Sequence, residues 1–183
     1  MPRLQNIPLP DMSPEQRRVH DAILSGPRGV VEGPLKVWLH SPQLADRAQA
    51  LGAFCRYGTS LPARLSELAI LMTGAFWRAG FEWHVHEKEA RKAGLSEAVI
   101  EAIHAGEEPP FSESDEAAVF AVTQELLRTR AISDQTYRRA VGQIGERGIV
   151  DLVGVLGYYT LISMTIVAFQ VPVPEGAPDP FQS

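Results

Sequence analysis

Apolar residues recur every three or four positions along most of the chain, and no stretch alternates apolar and polar residues between hairpin turns, so the pattern predicts helices and no sheet. Ser13-Pro14-Glu15-Gln16 is a helix start, with a serine cap, proline at the first helical position and Gln16 completing a capping box; this helix runs to about Leu24. Gly26-Pro27-Arg28-Gly29 and Gly33-Pro34 bracket a loop, and a short helix ends near Trp38-Leu39-His40. Ser41-Pro42 repeats the cap-plus-proline signal and opens a helix to about Tyr57, and Ser60, with Pro62 in the first turn, opens the next. After Gly94, Ser96 caps a helix over residues 97–105. Ser112 or Ser114 opens one from about Asp115 to Thr129, with Ala117, Val119, Phe120, Val122 and Leu126 facing inward. Ser133 starts another to about Val141, and a markedly apolar one runs from about Gly145 to Gln170. Prolines at 2, 8 and 10 and again at 172, 174, 178 and 180 make extended ends, the tail expected to drape over a neighbouring subunit. The pattern is an all-α bundle of seven or eight helices in one domain spanning 1–183. Its core covers about 41–173, preceded by an arm and helix over 1–40 and followed by a proline-rich tail over 171–183.

The stretch from Ser60 to Ser96 departs from ordinary amphipathic patterning. Leu61, Leu65, Leu68, Met72, Ala75 and Ala79 make one stripe, while Ile70, Leu71 and Trp77 fill the other side, so this helix is buried on most faces. Its lone acid, Glu67, sits in the second turn, where desolvation disfavours the carboxylate and is expected to raise its pKa. Just beyond, Glu82, Trp83, His84 and His86 crowd into five positions. On one straight helix, Glu67 and His86 would stand about 28 Å apart. Gly80 offers a reversal through the left-handed conformation, after which a second helix starting near Glu82 folds back beside the first. Glu82 and His86 then share one face as i,i+4 neighbours, and His84 points roughly the other way. Glu67, Glu82 and His86 are therefore expected to line one pocket, with Trp83 as wall and water shield. His84 is a second substrate-contact candidate, although a solvent-facing or interface histidine fits it too. Histidine exchanges protons near neutral pH, which makes His86 the candidate general acid; Glu67 orients it or carries a second proton, and Glu82 steers protonation.

Composition narrows the partners. Hydrophobic residues make up 45% of the chain, enough for a core, and a net charge of −5 with no Lys/Arg run beyond two argues against a nucleic-acid surface. A single cysteine excludes an intrachain disulfide and fits a reducing cytoplasm; Cys55, in an Ala-Phe-Cys segment, reads as a packing residue. The N-terminus carries no apolar signal core. Residues 149–169 are long enough for a bilayer, but Asp151, Gly154, Gly157 and several hydroxyls favour a buried or oligomer-facing helix, so no membrane partner is expected. The Gly26–Gly33 loop lacks the Gly-Lys-Ser/Thr of a phosphate cradle. Arg28 there suits a substrate carboxylate, or is a plain surface arginine; His40 reads as structural; and nothing in the sequence chooses among Arg56, Arg64 and Arg78 as a carboxylate partner.

These residues resemble the carboxymuconolactone decarboxylase and alkylhydroperoxidase D superfamily. The family motif is a helix glutamate, a Cys-x-x-Cys-x-x-x-His run ending 19 residues later, and an Ala-Arg-Lys-Ala-Gly-like segment. Glu67 to His86 has that spacing, and Ala90-Arg91-Lys92-Ala93-Gly94 follows. The cysteine positions fall on Ala79 and Glu82, and Glu82-Trp83-His84-Val85-His86 is similar to the cysteine-free, decarboxylase-like branch; Gly157-Tyr158-Tyr159 also looks like longer members. The resemblance implies an oligomeric alkylhydroperoxidase D-like bundle that decarboxylates a carboxylated lactone or does related enol chemistry on a small organic acid, with no cofactor and no metal. Its partners would be a small-molecule substrate and further copies of itself. A two-cysteine peroxide cycle needs a thiolate and a resolving thiol, which one chain with only Cys55 does not supply. Three other readings stand beside this one. Glu67 is then a buried acid paired with Arg64 or His86 for structure alone; or Glu82, His84 and His86 hold a metal, against the divergence of i,i+2 residues on a helix; or the fold binds without catalysing.

Overall fold

Every residue from Leu65 to Gly74 is buried, and the other helices are arranged around this segment. The computed structural model describes residues 2–182; Met1 and Ser183, the ends of the expected arm and tail, lie outside the described residues. Its α-helices are α1 (Pro14–Ser25), α2 (Pro34–Trp38), α3 (Pro42–Tyr57), α4 (Ala63–Trp77), α5 (Gly80–Lys92), α6 (Glu97–Ala105), α7 (Ser114–Thr129) and α8 (Asp134–Phe169), with no strand among the described residues; the arm expected to be extended contains one 3-10 turn, Leu9–Asp11. The nearly all-apolar α4 packs against α8, α5 and α7, while α3 bridges α1 and α8. The fold is the expected all-α bundle.

Local chemistry sets the ends. Ser13 makes the capping box with Gln16, and Ser96 and Ser133 cap α6 and α8. Ser60 does not cap α4. Its N–H and hydroxyl both donate to Oδ2 of Asp151 at 2.7 Å, tying the start of α4 to α8, and Pro62 takes the cap position. The reversal after α4 is also built differently from expectation. Arg78, not Gly80, adopts the left-handed conformation (φ 51°), and Gly80 is already the first residue of α5. On α7 the buried face is Glu116, Ala118, Val119, Val122 and Thr123 rather than one through Ala117; the buried acid is tolerated because Arg64 reaches across to Glu116 and Asp115. At Gly145 the backbone (φ 70°, ψ 169°) enters a region open only to glycine, so α8 consists of two helical arms, matching the two segments read from the sequence.

The longer arm of α8 is apolar enough to cross a membrane by length and composition, and half of that window is buried inside this bundle. Its outer side leaves Val150, Val153, Met164 and Val167 exposed, and α3 adds exposed Leu44, Leu51 and Phe54. The end of the tail packs on its own chain. Phe181 packs against Trp83 and His104, with ring centroids 5.6 and 5.3 Å away, and His104 Nε2 lies 3.0 Å from the Pro180 carbonyl. Cys55 is fully buried; burial, and then the Asp151 carboxylate, push its thiol above the ordinary range, so it packs as expected.

Candidate active site

Helices α4 and α5 are consecutive and packed together, which brings Glu67 and His86 into contact. Nδ1 of His86 lies 2.7 Å from Oε2 of Glu67, and Nε2 lies 3.0 Å from Oε1 of Glu82, one helical turn earlier on α5. The second contact is an ion pair rather than an aligned hydrogen bond. All three side chains are buried, so the cluster is shielded from solvent. Burial works to lower the His86 pKa, but the Glu67 carboxylate and then the Glu82 carboxylate outweigh it and push it up to about 9. His86 is thus an imidazolium at neutral pH, not a group titrating near 7 as expected from the sequence.

A cavity of about 40 Å³ opens onto Glu82 and His86. Glu67 stands behind His86 and does not line it. The cavity's other polar lining comes from Arg28, Glu32, Arg56, Tyr158 and Tyr159. A larger groove of about 240 Å³ near Phe76, His104 and Phe181 contains none of Glu67, Glu82 and His86. Trp83 and His84 are outside the small cavity, contrary to expectation. Trp83 is buried against His104 and Phe181, and His84 Nε2 pairs with Lys88 Nζ at 3.0 Å. Its departure from Glu82 and His86 leaves those three without a common focus for a metal, and among the described residues no His, Cys, Asp and Glu set forms such a cradle.

The wall expected from Trp83 is supplied instead by Tyr159 and Tyr158. The Tyr159 ring stands edge-on to His86 at 5.1 Å, and Tyr158 stands edge-on to Tyr159 at 5.3 Å. The Tyr159 hydroxyl is buried with no hydrogen-bond partner, and burial, reinforced by the Glu82 and Glu67 carboxylates, holds its pKa well above normal, so it keeps its proton. Arg28 Nη2 donates to Tyr158 Oη at 3.0 Å. Gly52 on α3 permits this contact: a Cβ there would collide with both Tyr158 Oη and Arg28 Nη2. The structure also separates the three arginines near the motif. Arg64 is held by Asp115 and Glu116, and Arg78 by the Phe181 carbonyl and ring, while Arg56 lines the cavity with no ion-pair partner among the described residues. One sequence signal pointed here: hydroxylated aromatics inside an apolar helix bring polar tips that need partners.

Comparison with known proteins agrees with the motif. Residues 42–125 match the model of the carboxymuconolactone decarboxylase family, a span that contains Glu67, Glu82 and His86 but not Arg28, Tyr158 or Tyr159. A crystal structure of a protein of unknown function from Agrobacterium tumefaciens, proposed to be the antioxidant defence protein AhpD, superposes with a TM-score of 0.68. It shares 20% identity over 78% of this chain and 99% of that one, a likeness of fold. No curated protein matches the chain. The family match thus covers the segment that holds the Glu67–Glu82–His86 cluster, and the structural likeness extends to the fold of the bundle.

Proposed function

We propose that the protein is a thiol-independent, decarboxylase-like enzyme that acts on a small organic acid or carboxylated lactone by proton transfer from His86. The observation that carries this reading is a buried imidazole held between two acidic side chains, opening with one of them onto a cavity. Glu67 anchors Nδ1 and stabilises the charged ring. The Nε2 proton, in ion-pair contact with Glu82 without an aligned hydrogen bond, is the one available to a ligand. In decarboxylation the bond from carbon to its carboxylate breaks, carbon dioxide leaves without the electron pair, and the pair becomes an enolate. His86 then gives its Nε2 proton to a carbon of the enolate system and is reprotonated from solvent, with Glu82 as the nearest carrier. Positioned acid catalysis of this kind contributes roughly 10²–10⁴-fold.

Cys55 plays no part in this scheme, being buried with its thiol pushed up. We place the enzyme in the cytoplasm and take the exposed apolar strips of α3 and α8 as the contact between copies of the chain. The test is incubation with carboxymuconolactone in deuterated water. The reading expects carbon dioxide release and one carbon-bound deuterium in the product, on a carbon of the enolate system; no release from the folded protein contradicts this substrate assignment.

A further inference from the structure

The cavity beside His86 holds two guanidinium groups without carboxylate partners. Arg28 and Arg56 are only partly exposed, yet neither makes an ion pair among the described residues, whereas the similarly sheltered Arg64 is held by two acids. Leaving such charges unpaired is costly unless something else meets them. Two further donors are idle in the same place. The Nε–H of Arg28 is buried without a partner, and so is the hydroxyl of Tyr159, a residue only 1% exposed. Buried donors of this kind are rarely left unused.

We propose that Arg28, Arg56 and the Tyr159 hydroxyl form an oxyanion subsite that binds a carboxylate of the substrate, with Tyr158 and Gly52 positioning Arg28. The subsite rests on the catalytic reading above for its role in turnover, but not for its binding chemistry. Its size fits one head group. A water needs roughly 10–15 Å³ of such space, so about 40 Å³ admits a carboxylate and leaves the body of the ligand at the mouth, beside Val30, Pro34 and Phe81. Charge gives the orientation. Glu82 and Glu32 line the same cavity and repel an anion, which directs the carboxylate to the arginines and an adjacent carbon toward His86. A guanidinium gripping the departing carboxylate would stabilise the ground state, because that charge disappears in the transition state. The subsite therefore holds a carboxylate that survives the reaction.

The test is calorimetric titration of the full chain at neutral pH with acetate, benzoate and the neutral isostere benzamide. Saturable binding of both carboxylates is expected, with benzamide at least about ten-fold weaker. Arg28→Gln and Arg56→Gln should each weaken benzoate about ten-fold or more, as expected for loss of a charged hydrogen bond, and Tyr159→Phe by a smaller factor. Arg56→Lys keeps the charge without the fork and should fall between wild type and Arg56→Gln, provided circular dichroism shows the fold retained. No saturable carboxylate binding by wild type, equal affinity for benzamide, or full benzoate affinity in both glutamine variants overturns the subsite. Glu67→Gln separates the two readings, since Glu67 does not line the cavity. Lost turnover with intact benzoate binding supports both, and retained turnover with intact binding overturns the catalytic reading alone.

Discussion

The 2.7 Å contact between His86 Nδ1 and Glu67 Oε2 joins two buried side chains nineteen residues apart in sequence and fixes the charge state of the imidazole. Glu67→Gln removes that support while keeping the shape. With burial opposing the charged ring, the His86 pKa should fall from about 9, and turnover should drop roughly 10²-fold or more. Imidazole proton resonances followed through a pH titration, beside steady-state rates, check both expectations.

The same pairing makes stability depend on pH on the alkaline side. The folded pKa of His86, about 9, exceeds its ordinary 6.5, so the stabilisation is complete below about 6.5 and is lost as pH rises through 9. The size is on the order of a few kcal/mol. Denaturant midpoints between pH 6 and pH 10 should decline in wild type and decline less steeply in Glu67→Gln.

Gly52→Ala should show how tightly the cavity wall is built. The added methyl collides with Tyr158 Oη and Arg28 Nη2, so one or both must move. A loss of about 1–3 kcal/mol in chemical denaturation, typical of overpacking, is expected together with weakened benzoate binding. Unchanged values in both measurements would show that the Arg28–Tyr158 contact is dispensable.

Self-association should depend on the outer side of α8, where Val150 is 70% and Val153 51% exposed. Sedimentation of wild type should give a species heavier than the 20.1 kDa chain, and Val150→Glu with Val153→Glu should return it to that mass with unchanged helicity.

The helical architecture was legible because caps and glycines punctuate it locally: Ser13, Ser96 and Ser133 cap as their sequence contexts imply, and the break at Gly145 falls between the two segments read there. The Glu67–Glu82–His86 cluster was legible because one acid in an apolar helix, a chain reversal and an i,i+4 pair define it within twenty residues. The rest of the cavity was not, because it is assembled from a loop at 28, α3 at 56 and α8 at 158–159, which no local spacing relates. Arg56 could be picked out from Arg64 and Arg78 only once Asp115, Glu116 and Phe181 were seen to occupy the other two. Trp83 was misplaced because the tail, through Phe181, folds back to cover it, a contact across almost a hundred residues.

The most direct test of the central claim is carbon dioxide release from carboxymuconolactone by four proteins: wild type, Cys55→Ser, Glu67→Gln and His86→Ala, each verified as folded. A thiol-free relay through His86 predicts equal release by wild type and Cys55→Ser, with release lost or reduced at least about 10²-fold in the other two. Wild-type rates in His86→Ala, or loss of activity in Cys55→Ser, would contradict it.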